Sequence, residues 1–99
     1  MTTTQQLIAK AEDRMSKIAG AAWNPSVLAE IIESGILPEG AVIREQAGFG
    51  KIVIEGNEMV HCKDGQIVKR YPMNDVLREG ALIEYACNCA KIGRSMGNF

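Results

Sequence analysis

The side chains best equipped for chemistry in this chain are its single histidine, His61, and its three cysteines, Cys62, Cys87 and Cys89. A nucleophile–base pair needs a thiol and an imidazole within hydrogen-bond reach, roughly 2.6–3.2 Å. His61 and Cys62 are neighbours in a β-rich run, and consecutive strand residues point to opposite faces, so these two cannot serve each other. Cys87 or Cys89 reaches His61 only if the helix that carries them packs on the histidine's face. The same four residues are of the types that tetrahedral zinc uses. Yet Cys87 and Cys89 stand two apart on a helix, about 200° around its axis, and an intact helix cannot aim both thiolates at one ion. The preferred reading is therefore that the cysteines pack as small buried hydrophobes and that His61 sits half-buried opposite Val68. No catalytic residue, metal site or cofactor is expected. The alternative is a small thiol- or metal-dependent enzyme or regulator built on His61 and the cysteines.

Gly48-Phe49-Gly50-Lys51 pairs two glycines with a lysine, but a phosphate-cradling loop needs G-x-x-x-x-G-K-[ST] between a strand and a helix. Ile52 follows the lysine and a strand follows the loop, so the glycines read as suppliers of positive φ in a hairpin. Phe49 stands where a solvated polar residue belongs. It either tucks back as a lid on the core or projects as an interface anchor. Trp23, just before the Asn24 cap, is expected to staple onto Leu28, with a contact aromatic as the other reading. Glu30, Glu33, Glu39, Glu45, Glu55 and Glu58 form either a patch for a basic partner or a solvated surface, and no spacing among them marks a carboxylate pair.

The elements that must position these groups follow from caps and periodicity. Thr3 and Gln6 make a capping box, and Leu7, Ile8, Ala11, Met15, Ile18 and Ala22 continue at helical spacing until Gly20 loosens or ends the helix. Asn24 caps and Pro25 opens a second helix to Ser34, with Gly35 as the left-handed stop and Ile36 folding back onto Ile31. Runs at 41–46, 51–55, 58–63 and 66–71, separated by Gly-containing turns, predict a four-stranded antiparallel meander. Asp64-Gly65 predicts a type I′ turn.

With two-residue turns, Cys62 faces Ile67, His61 faces Val68, Val53 faces Val60 and Ile54 faces Met59. Ile52, Ile54, Met59 and Val68 then share one face, while Val53, Val60, Cys62, Ile67 and Tyr71 share the other, so something must cover both. A last helix runs from an Asn74 or Asp75 cap to about Ile92. From Gly80 to Ile92 its only strongly polar residues, Glu84, Asn88 and Lys91, fall on one narrow stripe, so it is expected to be buried on several sides, and Gly93 onward reads as a frayed tail. The fold class is α+β, one domain over 1–99: two N-terminal helices, a central antiparallel β-meander and a C-terminal helix packed on the sheet.

Composition bounds what such a domain does. With 46% hydrophobic and 23% charged residues the chain is ordinary globular material, and its net charge of −1 supplies no field for phosphate backbones or anionic lipid. Nucleic acid and membrane are disfavoured as partners. The N-terminus lacks a cationic start and an apolar run, and an odd cysteine count argues against a disulfide framework, so a cytosolic protein is expected. The functional expectation is a non-enzymatic protein-binding module, an inhibitor or adaptor that occupies a partner's surface through Phe49, Arg44, Lys51, Glu45 and Trp23. Small inhibitors carried by phages and mobile elements, including those directed at bacterial defence complexes, share this size and plainness. A homodimer is also expected, because the two-sided sheet and the apolar last helix offer more surface than two short helices cover.

Overall fold

The computed structural model describes residues 3–18 and 22–91. Among them the chain runs α1 (Thr4–Lys17), α2 (Pro25–Ser34), β1 (Val42–Gln46), β2 (Gly50–Glu55), β3 (Glu58–Lys63), β4 (Gln66–Pro72) and α3 (Asp75–Ala90). The α+β architecture read from the sequence is the architecture of the molecule. Gly20, Ile92 and the stretch from Gly93 lie outside the described residues.

Local chemistry sets the helix ends. The capping box forms as expected: the Gln6 N–H donates to Thr3 Oγ1 at 3.1 Å and the Thr3 N–H to Gln6 Oε1 at 2.8 Å. α1 ends at Lys17, short of Gly20, when the Ile18 N–H divides itself between the carbonyls of Arg14 and Met15, so Ala22 is not part of its stripe. In α2, Asn24 Oδ1 accepts from the Ser26 and Val27 N–H groups, and Gly35 closes the helix at φ 66°. Ile36 does not fold back onto Ile31. It stands 63% exposed, and its N–H goes to Ser34 Oγ at 3.2 Å, a local side-chain acceptor that takes the place of a helix carbonyl.

The sheet has the order β1-β2-β3-β4, all antiparallel. Val53 faces Val60, Ile54 faces Met59 and Cys62 faces Ile67, as the turn lengths require. The Asp64-Gly65 turn has positive φ at both central residues, 54° and 77°, which is the type I′ geometry. His61, however, pairs with Lys69 rather than Val68, because a bulge between His61 and Cys62 inserts one extra residue into β4. A second irregularity between Val42 and Arg44 takes Ile43 out of the ladder, and its carbonyl accepts from Asn88 Nδ2 of α3 at 3.0 Å.

Two apolar clusters share α3 as a wall. On one side Leu7, Ala11, Met15, Leu28 and Ile32 of α1 and α2 meet Leu82, Ala86, Cys87 and Ala90. On the other, Ala81 and Tyr85 meet Ala41, Ile43, Ile54, Ile52 and Met59, and Leu37 touches both clusters. α3 is thus packed on several sides, as its composition predicts. Gly80 lies in its interior with no atom within 4 Å of where a Cβ would stand, although glycine there costs about 1 kcal/mol relative to alanine.

Only one sheet face receives a helix. Among the described residues α3, packed on β1 and on Ile52, Ile54 and Met59, is the one helix that meets the sheet, so no helix covers the face of Val53, Val60, Cys62 and Ile67, and the expectation that both faces are covered fails. Part of the reason is chemical. Opposite Val60, which is 1% exposed, Arg70 bonds both Glu55 and Glu58 at 2.9 Å, and this charged group crowds the face while Ile67 stays 52% exposed.

Candidate functional site: the β1–β2 hairpin and the α3 grooves

Gly48 at φ 83° and Gly50 at φ 96° turn β1 into β2 so that the loop curls over β3. Phe49 neither lids a cluster nor projects freely. Its ring stacks on the His61 imidazole, with centroids 4.2 Å apart and planes 18° apart, and it is half-buried. His61 Nε2 lies 2.7 Å from the Phe49 carbonyl oxygen, and since a carbonyl only accepts, this nitrogen carries the proton. The two residues that looked most chemical and most exposed in the sequence therefore hold each other.

The thiols are scattered. Cys62 lies half-buried between Lys51 and Ile67 on the face opposite His61. Cys87 is buried, its Sγ 3.8 Å from the Ala11 carbonyl, and burial pushes its thiol up, with the Glu84 charge adding to the rise and those of Arg14 and Lys91 opposing it. Cys89 is exposed, which corrects its reading as a buried thiol: two positions on from Cys87, it lies on the far side of α3. Its partner is Tyr85, whose hydroxyl is pushed up by burial first and then by its hydrogen bond with Cys89. Among the described residues no three His, Cys, Asp or Glu side chains stand where they could hold a metal ion. A thiol reagent should therefore label Cys89 fastest in the native protein and Cys62 more slowly. Cys87 should react only on unfolding, and mass spectrometry with time resolves the order. Fast native labelling of Cys87 would contradict the packing described.

Around the hairpin lie three concavities. One, of about 420 Å³, is at the loop end of the sheet between Gln46, Gly48, Lys51 and Lys63. A polar one of about 510 Å³ follows the seam of α3 and β1, lined by Arg14, Arg44, Glu45, Glu84, Asn88 and Lys91. A third, of about 430 Å³, is mainly apolar and opens between α3 and the first sheet face, over Ile52, Met59, Leu77 and Gly80. The latter two meet at Glu84, whose carboxylate takes Arg14 at 3.0 Å and Arg44 at 3.2 Å and so ties α1, α3 and β1 together. The polar stripe of α3 was legible in the sequence as a surface. What it missed is that Glu84, Asn88 and Lys91 face β1, and the regular spacing of 84, 88 and 91 was the available signal.

Of the expected contact residues, Arg44 borders both seam concavities, Glu45 the polar and loop-end ones, and Lys51 the loop end. Glu45 and Lys51 are cross-strand partners on the uncovered face, whereas Arg44 pairs with Ile52 on the face toward α3. Trp23 belongs elsewhere: it packs half-buried against the helical cluster that contains Leu28 and pairs through its backbone with Lys91. Three of the six acidic residues are engaged, Glu55 and Glu58 with Arg70 and Glu39 with the Gly56 N–H. No helix among the described residues is long and apolar enough to cross a membrane. No family model matches the chain, and neither a curated protein nor a solved structure matches it.

Proposed function

We propose that this chain is a non-enzymatic protein-binding module, an inhibitor or adaptor that meets its partner through the β1–β2 hairpin. The observation that supports this most is the clamp on the loop: the Phe49 carbonyl is held by His61, and the Phe49 ring is stacked on the imidazole. Recognition by a loop costs ordering entropy, and a loop fixed in advance avoids that cost. The two strands of the hairpin carry exposed charges of both signs, Arg44, Glu45 and Lys51, the mixture that gives an interface its register. Three unpaired thiols suit work in the cytosol.

A photo-crosslinking residue placed at Ala47 on the hairpin, with one at Ser26 on α2 as control, tests the reading in lysate of the native host. Ala47 should yield one discrete adduct and Ser26 none. Phe49→Ala should weaken capture of that partner about 30-fold, the size of an interface hot spot, while thermal unfolding verifies that the fold persists. An adduct from Ser26 alone, or capture indifferent to Phe49→Ala, would place the contact elsewhere and refute the hairpin.

A further inference from the structure

We infer that the polar seam between α3 and β1 is a binding site for the phosphate group of a small, hydroxylated phosphomonoester. The seam offers about 510 Å³, a volume ordinary for small-ligand sites. Its cations converge from three segments: Arg14 from α1, Arg44 from β1 and Lys91 from the end of α3. Glu84 holds the two guanidiniums at 3.0 and 3.2 Å, so both are positioned before a ligand arrives. Each spends only Nη2 on that carboxylate, and among the described residues the Nη1 and Nε groups of both have no hydrogen-bond partner. Lys91 is half-buried and makes no ion pair among the described residues.

The charges of the seam do not balance. Three cations meet two carboxylates, and one of these, Glu45, stands across from Lys51 on the other sheet face. Gathering like charges is unfavourable, and an entering anion relieves it. The chain as a whole carries −1, so this attraction belongs to the seam alone. A carboxylate brings one negative charge. A phosphomonoester brings about 1.5 to 2 at neutral pH and three acceptor oxygens for the unspent guanidinium N–H groups, which makes it the better match. Asn88 adds the opposite polarity: its Nδ2 donates to the Ile43 carbonyl at 3.0 Å, and its Oδ1, with no donor among the described residues, can accept from a ligand hydroxyl. Glu45 and Gln46 also border the seam, so acceptors stand beside the cations and suit a polyol body. The hairpin's role is a separate matter. Arg44 serves both readings, so Arg14 and Lys91 are the residues that test this one.

NMR titration of the isotope-labelled full chain with glycerol phosphate at millimolar concentration should shift the amide signals of Arg44, Asn88 and Lys91 and the Arg14 Nε–H. Glycerol should leave them in place. Arg14→Gln and Lys91→Gln should each weaken binding about 10-fold, the size of one charge-assisted hydrogen bond. Lys91 has no ion pair to lose, and thermal unfolding verifies that the Arg14 variant keeps its fold. Lys69→Gln removes the same charge from β4, at the other edge of the sheet, and should change affinity less than about 2-fold. Lowering the pH from about 7.5 to about 5 should weaken binding, because the phosphate takes up its second proton near pH ~6. Unmoved seam signals would overturn the inference. So would equal weakening by Lys69→Gln, or acetate binding as tightly as glycerol phosphate.

Discussion

Gly50→Ala lowers the unfolding free energy by about 3 kcal/mol, read as a fall in the urea midpoint at unchanged slope. Two effects act together. At φ 96° an L side chain is strained whatever space surrounds it. Moreover, the added Cβ overlaps the Cys62 carbonyl oxygen and lies 3.1 Å from the Cys62 carbonyl carbon and from Lys63 Cα. These are backbone atoms of β3, so no rotamer relieves the overlap and the two strands must separate. Separation there also moves His61, next in sequence to Cys62, away from the Phe49 carbonyl. Gly48→Ala is the control: φ is 83°, but nothing lies within 4 Å, so strain alone costs about 1 kcal/mol. Equal losses for the two substitutions would show that the loop does not press on β3.

Leu28→Ala costs about 2–5 kcal/mol, the range for a buried leucine whose neighbours cannot close the void. Leu28 has no exposed surface and sits among Met15, Ala86 and Ala90, where α2 meets α1 and α3. The small residues at 11, 86 and 90 already let the helices approach, and α2 makes no packing contact with the sheet that could compensate. In a domain of this size the loss lowers the melting temperature by about 10 °C or more. Ile36→Ala, at a leucine-like isomer 63% exposed, changes stability by less than about 0.5 kcal/mol. A calorimetric scan in which the two variants melt together would contradict the division of the core around α3.

Order of elements, caps and the tight Asp64-Gly65 turn were legible in the sequence because each is decided by a few neighbouring residues. Thr3 and Gln6 need only each other, and two positive φ values need only Asp and Gly. Register in β2 and β3 followed from turn length. The bulge opposite His61 was not legible, since one extra β-branched residue in β4 leaves alternation almost intact. Its consequence, Lys69 in place of Val68, was therefore missed. The Phe49–His61 stack depends on how a three-residue loop curls, and the Glu84 bridge on where α1 and β1 lie beside α3. Both are relations between segments far apart in the chain, which periodicity does not encode. Cys89 was misjudged for the opposite reason: residue type predicts burial on average, whereas the helical angle from Cys87 decided it here.

The extra residue at Val68 and the bond from Asn88 to Ile43 bear on how this protein behaves when crowded. A β-sheet grows into fibres by recruiting strands at its two rims, and these strands are rich in valine and isoleucine. One rim is plugged: α3 lies against β1 and its asparagine amide holds a main-chain oxygen that an incoming strand would seek. The other is kinked by the bulge and carries Lys69, Arg70 and Pro72, two cations and a residue with no N–H to offer. Lateral polymerisation through the sheet is thereby opposed on both sides.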